Sequence, residues 1–212
     1  MTDERPTVFI IDDDPSARRG LSRLIQAAGG MSVMAYESAR DFLDQAHYDG
    51  HGCIVLDVKM PDLSGPDLQV ELIKAEIALP IIFVSGHSDV PIAAMAMKKG
   101  AVDFLTKPVD RDHLLKAIAE SLEKDRESRK AIAVQAQVRS RFATLSPREY
   151  EVMTFVIAGL LNKQIAYELG ISEDTVKIHR GRVMKKMNAA SLAELVRLAE
   201  LVYIKPAESN DL

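Results

Sequence analysis

Cysteine and long apolar runs are nearly absent from this sequence. Its 212 residues contain one cysteine, Cys53, which excludes an intramolecular disulfide framework and a cysteine zinc cluster. No apolar stretch approaches the roughly 18–20 residues that a membrane span needs. Residues 1–6 include Asp3 and Glu4 and lack the apolar run and cleavage site of a secretory signal. These absences favour a cytoplasmic protein without a membrane partner.

Acidic and basic residues are distributed unevenly along the chain. Residues 1–138 carry 16 Lys and Arg against 22 Asp and Glu, whereas residues 139–205 carry 11 against 7. An acidic N-terminal part and a basic C-terminal part indicate two modules with different partners. Acidic clusters suit a metal ion and a basic segment suits a phosphate backbone, although this modest basic excess also fits an ordinary solvated surface.

Short apolar runs alternate with longer segments of helical spacing in the first 110 residues, and these runs predict strands. The predicted strands are Thr7–Ile11, Ser32–Tyr36, Cys53–Asp57, Ile81–Ser85 and Val102–Thr106. Five strand–helix alternations over about 120 residues predict a parallel sheet covered on both faces. The expected fold is a doubly wound α/β domain with five parallel strands, a (βα)5 arrangement.

The pattern becomes wholly helical after Asp110. Residues 123–141 contain no Gly or Pro and predict an extended helix. Ser146 and Pro147 then mark a helix start, and four short helices in roughly 60 residues predict a small all-α bundle. The predicted organisation is an α/β domain over 1–122, a helical linker over 123–141, an all-α domain over 142–205 and a tail over 206–212.

Polar residues follow four of the predicted strands. They are Asp12, Asp13 and Asp14 after the first, Asp57 at the third, Ser85 at the fourth and Lys107 after the fifth. Since the carboxyl ends of parallel strands form a ligand crevice, these side chains are expected to meet. Neighbouring carboxylates need a bridging cation, and oxygen ligands without His or Cys favour Mg²⁺. One carboxylate can then attack a phosphoryl group while Lys107 offsets its charge.

Each of these residues alone has an ordinary structural explanation. An Asp pair often only caps a helix, and a lone lysine commonly lies at the surface. Their joint occurrence at four separate strand ends favours a functional site.

Residues 7–122 resemble a two-component receiver domain over its full length. The motifs that carry the resemblance are VFIIDD at 8–13, IVLDVKMP at 54–61 with Gly65, VSG at 84–86 and KP at 107–108. The stretch over 85–104 is similar to the FixJ subgroup in particular.

The receiver resemblance implies a role for each pocket residue. It implies that Asp57 is the phosphoacceptor and that Mg²⁺ is held by Asp12, Asp13, Asp57 and the carbonyl of Lys59. Ser85 and Phe104 match the switch positions, and Lys107 matches the phosphate-pairing lysine before a proline that is usually cis. Asp14 is interpreted as a helix cap.

Residues 162–187 show the sequence pattern of a helix–turn–helix. A helix stops at Gly170, and Ser172 caps a second helix. On that helix Val176, Val183 and Met187 share one face, which is expected to pack on the bundle. The opposite face carries Lys177, Ile178, Gly181, Arg182 and Lys185. A basic helix on its own is more often simply exposed to solvent. The helix–turn–helix pattern around this one favours a helix that enters the major groove.

Residues 144–204 resemble the LuxR/FixJ-type DNA-binding domain through LSPRE at 145–149, NKQIA at 162–166 and ISEDTVKIH at 171–179. The resemblance implies that Lys177 and Ile178 face bases. It places Lys163, Thr175 and Lys185 at phosphates. Gly181 replaces a longer side chain at a base-facing position, and Arg182 is expected to compensate. The last helix, about 191–202, joins two copies in the family and also fits simple bundle packing.

The combined pattern predicts a response regulator rather than an enzyme. Its expected partners are a sensor histidine kinase that phosphorylates Asp57, promoter DNA, a second copy upon phosphorylation, and RNA polymerase, with activation of promoters. One alternative is a Mg²⁺-dependent aspartyl phosphatase for a small molecule, but Lys59 stands where its second acid is expected. Another is a constitutive DNA-binding protein, which the intact acids and Lys107 disfavour.

Overall fold

The computed structural model describes residues 5–44, 50–86 and 90–207. The chain divides into two compact units, Met1–Arg129 and Lys130–Leu212. Within the described ranges, no helix combines the length and the apolar character that crossing a bilayer requires. Residues 208–212 of the predicted tail and His87 of the FixJ-like stretch lie outside the described residues.

The N-terminal unit alternates strands and helices, as predicted. Its elements are β1 (Thr7–Ile11), α1 (Pro15–Ala28), β2 (Ser32–Tyr36), α2 (Ala39–Asp44), β3 (Gly52–Asp57), α3 (Gly65–Lys74), β4 (Ile81–Ser85), α4 (Val90–Lys98), β5 (Asp103–Thr106) and the first part of α5 (Arg111–Phe142). β3 begins one residue earlier than predicted because Gly52 pairs with Thr7. β5 begins one residue later, at Asp103, where pairing with Ile82 starts.

The five strands form one parallel sheet in the order β2-β1-β3-β4-β5, which confirms the predicted doubly wound fold. Successive strand residues point to opposite faces. Phe9 and Leu56 therefore enter one core with α2, α3 and α4. Val8 and Val55 enter the other core with α1 and α5. The strand order reverses between β1 and β3, which opens a crevice beyond their carboxyl ends.

The C-terminal unit is helical in its described part, as predicted. It contains the end of α5, then α6 (Pro147–Ile157), α7 (Asn162–Leu169), α8 (Glu173–Met187) and α9 (Leu192–Leu201). Ser146 forms a capping box with Glu149, and Ser172 caps α8 by accepting from the Thr175 amide. Gly170 ends α7 with a left-handed φ of 62°, a conformation that glycine adopts without a Cβ clash.

Helix α5 runs without a break from Arg111 to Phe142, so the predicted linker over 123–141 lies inside a longer helix. Leu114 and Ile118 of α5 are buried in the core of the N-terminal unit. Val138 and Phe142 are buried in the core of the C-terminal unit. A single helix therefore contributes to both cores.

Candidate functional site

Lys107 and two aspartates from different strands meet beyond the carboxyl ends of the sheet. The Lys107 ammonium donates to Asp57 Oδ1 at 2.6 Å and to Asp12 Oδ2 at 2.7 Å. Both carboxylates are buried, with Asp12 1% and Asp57 6% exposed. β1 and β3 are adjacent in the sheet, and this adjacency places the two acids within reach of one cation.

Backbone groups fix the orientation of both carboxylates. The Lys59 amide donates to Asp57 Oδ2 at 2.7 Å, and the Asp14 amide donates to Asp12 Oδ1 at 2.9 Å. Asp14 itself caps α1 through the Ser16 amide, at 2.8 Å, as interpreted from the sequence. Hydrogen bonds of this kind hold charged acceptors in a defined position.

Burial and charge act in opposite directions on the central ion pair. Burial raises the pKa of the Asp57 carboxyl above its ordinary value, and the hydrogen bond and charge of Lys107 oppose this shift. For Lys107, burial acts to lower the pKa, but the hydrogen bonds to Asp12 and Asp57 outweigh it and the pKa is raised. Lys107 is therefore an ammonium at neutral pH. One ammonium faces two carboxyl groups, and an additional cation would balance the pocket.

Asp13 lies apart from this buried pair. It is exposed and lines an open cavity of about 540 Å³ beside the β1 and β3 loops. Other acidic side chains that line this cavity are Glu37, Asp41, Asp44 and Asp62. The acidic lining favours the approach of cations toward the edge of the pocket.

The donor set fits Mg²⁺. In the ranges 5–44, 50–86 and 90–207, no three His, Cys, Asp or Glu side chains are gathered in a way that could hold a metal by themselves. Mg²⁺ needs no such cage, because it is usually bound by one or two carboxylates and keeps several waters. Asp12 and Asp57 supply two buried carboxylates, and the surrounding donors are oxygens rather than nitrogen or sulfur.

Ser85 lies on β4, the strand next to that of Asp57, and Phe104 lies on β5, one strand further out. Ser85 is buried at the end of β4, and its carbonyl accepts from the Lys107 amide at 2.7 Å. The peptide bond between Lys107 and Pro108 is cis. The Phe104 ring is half-buried and stacks on Phe83, with centroids 6.3 Å apart. Ser85 thus helps to position Lys107, and Phe104 occupies the adjacent strand.

Sequence reasoning missed two structural supports of the pocket. Arg18, one turn into α1, donates from Nη1 to the Asp12 carbonyl at 2.6 Å and lies 3.9 Å from Glu37. Gly65 opens α3 so close to β3 that an added Cβ would collide with the Asp57 carbonyl. The glycine was visible as part of a motif, but its steric reason depends on the approach of α3 to Asp57.

Helix α8 presents the two faces that its sequence predicts. Val176, Val183 and Met187 are buried in the helical core. The opposite face is exposed at Lys177, Ile178, Gly181, Arg182 and Lys185. Ile178 is 55% exposed and is one of several large apolar side chains at the surface of the described chain.

The other residues predicted at DNA lie on α7 and at the start of α8. Lys163 is exposed, and the Thr175 hydroxyl lies 2.8 Å from the Ser172 hydroxyl. Lys177 pairs with Asp174 at 3.0 Å on the protein surface. Arg180 donates to the Asn162 side chain at 3.1 Å, which links the two helices of the helix–turn–helix.

Two family models match the two units of the chain. The model described as "Response regulator receiver domain" matches residues 8–119. The model described as "Bacterial regulatory proteins, luxR family" matches residues 143–199.

Similarity to individual proteins extends over nearly the whole chain. The chain is 50% identical over 197 residues to Nodulation protein W of Bradyrhizobium diazoefficiens, covering 93% of this chain and 86% of that protein. It is 44% identical over 201 residues to Transcriptional regulatory protein FixJ of Azorhizobium caulinodans, covering 95% of each. The solved structure of Response Regulator StyR has a TM-score of 0.82 at 45% identity, and the match covers 92% of this chain and 98% of that one.

Proposed function

The chain belongs to the two-component response regulators of the FixJ/NarL family, transcriptional regulators that join a receiver domain to a LuxR-type DNA-binding domain, and we propose that Asp57 is its phosphoacceptor. The supporting observation is the buried contact of Lys107 with both Asp57 and Asp12. It combines a carboxylate nucleophile with a cation that offsets charge on a transferring phosphoryl group.

The proposed reaction is transfer of a phosphoryl group from the phosphohistidine of a sensor kinase. An Asp57 carboxylate oxygen attacks phosphorus, so that a P–O bond forms while the P–N bond breaks. The electron pair of the P–N bond stays on the imidazole nitrogen, and the product is an aspartyl phosphate. The Lys107 ammonium and the Ser85 hydroxyl are the groups placed to hydrogen-bond the phosphoryl oxygens.

Asp12, Asp57, the Lys59 carbonyl and Asp13 at the rim are proposed to hold Mg²⁺. A bound Mg²⁺ ion would offset the negative charge of the carboxylates and of the phosphoryl oxygens. Lys107 contacts the same two carboxylates in this structure, and the protein therefore already holds one positive charge at this position.

The output of phosphorylation is proposed to be dimerisation. The new charge draws Ser85 toward the phosphate and Phe104 turns inward, which shifts the population of two receiver states. The face formed by α4, β5 and α5 is the proposed contact between copies. Val90, Met95 and Met97 on α4 are exposed apolar side chains, and contact between copies would remove apolar surface of this kind from water.

The C-terminal domain is proposed to read promoter DNA with the exposed face of α8. Lys177, Ile178 and Arg182 are the candidates for base edges, and Lys163, Thr175 and Lys185 are the candidates for phosphates. The exposed face of α9, which includes Leu192, is proposed to join the two DNA-bound copies. Contact with RNA polymerase in the cytoplasm and activation of transcription complete the proposal.

Phosphorylation tests the central assignment. The full-length protein would be treated with acetyl phosphate and Mg²⁺ and examined by intact mass spectrometry. We expect one phosphoryl group on the native chain and on Asp62→Asn, which alters an exposed acid near the pocket, and none on Asp57→Asn. Equal labelling of Asp57→Asn and the native chain would contradict the assignment.

Sedimentation tests the proposed output. Analytical ultracentrifugation with beryllofluoride and Mg²⁺ would compare the native chain with Asp57→Ala, and we expect a dimer only for the native chain. A native chain that is labelled but stays unchanged in sedimentation would contradict phosphorylation-driven dimerisation. A protein that binds DNA equally with and without beryllofluoride would support the constitutive alternative.

A further inference from the structure

A buried carboxylate outside the pocket, Asp125, belongs to the linker segment of α5. Asp125 is 2% exposed, and its Oδ2 accepts three hydrogen bonds. The donors are His51 Nδ1 at 2.6 Å, the Gly52 amide at 3.0 Å and Arg129 Nε at 2.9 Å. A carboxylate oxygen held by three donors is fixed in position.

Two of the residues that bind Asp125, His51 and Gly52, lie at the start of β3, one of the two strands that carry the pocket. Gly52 is the first residue of β3, and Asp57 is the last. The His51 carbonyl accepts from the Thr7 amide at 2.9 Å, and Thr7 is the first residue of β1. β1 leads directly to Asp12. The Asp125 contact and the phosphoacceptor pocket therefore lie at opposite ends of the same pair of strands.

β3 lies very close to β1 at Gly52. A Cβ added at Gly52 would collide with the Thr7 carbonyl, which shows how closely β3 approaches β1 there. Close-packed protein interiors have low compressibility and transmit strain. A change in the strand pair is thus transmitted to Asp125 through backbone hydrogen bonds and not through flexible side chains alone.

Asp125 is also the last fully buried residue of α5 before an exposed stretch of that helix. Between Asp125 and the next buried α5 residue, Val138, only Arg129 and Gln135 are partly covered. Val138 belongs to the core of the C-terminal unit. Asp125 therefore marks the point where α5 leaves the receiver core, and its hydrogen bonds with His51 and Gly52 fix the helix to the start of β3 at that point.

We propose that Asp125 is a positioning residue that couples the phosphorylation state of Asp57 to DNA binding. Its hydrogen bonds with His51 and Gly52 fix α5 to the β1–β3 strand pair, and Arg129, one turn further along α5, holds the carboxylate in place, so that α5 follows the state of the pocket. This inference rests on the proposed function of Asp57. Without the Asp125 contact the receiver would still accept the phosphoryl group, but the position of α5 would no longer depend on the phosphorylation state of Asp57.

The experiment measures the coupling itself. A DNA duplex for the binding assay would first be selected in vitro from a random library, with the native full-length chain in the presence of beryllofluoride and Mg²⁺. Its Kd would be measured by fluorescence anisotropy with and without beryllofluoride for the native chain, Asp125→Ala and Asp125→Asn. The matched control is Glu123→Ala, which removes an exposed carboxylate two residues away on the same helix. Labelling by acetyl phosphate would be measured on the same samples.

We expect the ratio of the two Kd values to fall to nearly one in Asp125→Ala, with phosphoryl labelling retained. Asp125→Asn keeps an acceptor oxygen but loses the charge, so it should retain part of the native ratio. Glu123→Ala should keep the native ratio. A merely structural role would lower the melting temperature of Asp125→Ala without changing the ratio, and this result would overturn the proposal.

Two further variants keep the test decisive if Asp125→Ala does not fold. His51→Ala and Arg129→Ala each remove one donor from Asp125, and both should lower the ratio. A native ratio in both folded variants would also overturn the proposal. Failure of the proposed function gives a different result, because the native chain itself would then show no labelling or a ratio of one.

Discussion

Lys107 Nζ donates to Asp57 Oδ1 at 2.6 Å, although 50 residues separate the two along the chain. The same ammonium also contacts Asp12, which lies 95 residues from it. The pocket is therefore closed by a lysine at the end of β5 that neutralises part of the charge on two other strand ends. This arrangement stabilises the acids in the absence of another cation, and it also makes Lys107 a competitor of any cation that binds them.

Removing this competitor should strengthen Mg²⁺ binding. We expect Lys107→Gln to bind Mg²⁺ more tightly by roughly tenfold, because a unit charge beside two carboxylates opposes a second cation by about 1.4 kcal/mol or more. Isothermal titration with MgCl₂ measures the change. Lys99→Gln removes an exposed lysine of the same domain and should leave the affinity nearly unchanged. Equal affinities for the native chain and Lys107→Gln would show that the ammonium and the metal do not compete.

Two glycines of the receiver should respond in opposite ways to an added methyl group. Gly65→Ala places a Cβ against the Asp57 carbonyl, and overpacking of this kind costs about 1–3 kcal/mol. Gly20→Ala lies inside α1 with open space around the new Cβ, and helix propensity should stabilise it by about 0.5–1 kcal/mol. Urea unfolding of the full-length variants gives both values. A Gly65→Ala variant as stable as the native chain would contradict the close approach of α3 to Asp57.

The pH dependence of the DNA-binding unit should depend on one buried carboxylate. Hydrogen bonds from Lys186 and from Ser146 hold the pKa of Glu149 at about 2. A carboxyl group whose pKa is lowered on folding stabilises the fold at pH values above its ordinary pKa of 4.5. This contribution disappears as the pH falls toward 2. We therefore expect the stability of this unit to fall between about pH 4.5 and pH 2.

Urea titrations followed by the methyl NMR signals of Met153 and Met187 report on this unit, since both side chains are buried in its core. Glu149→Gln should be less stable than the native chain at neutral pH, and its stability should depend much less on pH below pH 4.5. Glu151→Gln, whose carboxylate lies at the surface beside Arg148, is the control. An unchanged acid profile in Glu149→Gln would refute the assignment to Glu149.

Cations on α8 should differ from Ile178 in how they affect DNA binding. Lys185→Ala should weaken binding, and the loss of its phosphate contact should reduce the slope of log K against log salt by about 1. Ile178→Ala should keep the slope and alter the preferred sequence. Anisotropy titrations over a range of KCl concentrations separate these outcomes. Lys205→Ala changes an exposed lysine outside α8, and a slope change as large as that of Lys185→Ala would argue against α8 as the specific contact.

Much of the architecture was available from the sequence. Apolar runs such as Thr7–Ile11 alternate with helical segments, and buried parallel strands require such runs because both faces of the sheet are covered. The acids that follow β1 and β3 could be assigned to one edge for the same reason. On α8, Val176 and Val183 could be separated from Lys177 by periodicity alone, because helical geometry is local.

Tertiary structure decided which of these groups touch. The contact of Lys107 with both acids, the reach of Arg18 to the Asp12 carbonyl and the hydrogen bond of His51 to Asp125 join residues on different elements. Periodicity states which face a residue occupies, but not which distant residue shares that face. The residue pattern was therefore enough to predict the two domains and the polar side chains at the strand ends. Only packing of the helices on the sheet decided that Asp13 stays exposed while Asp12 and Asp57 are buried around one lysine.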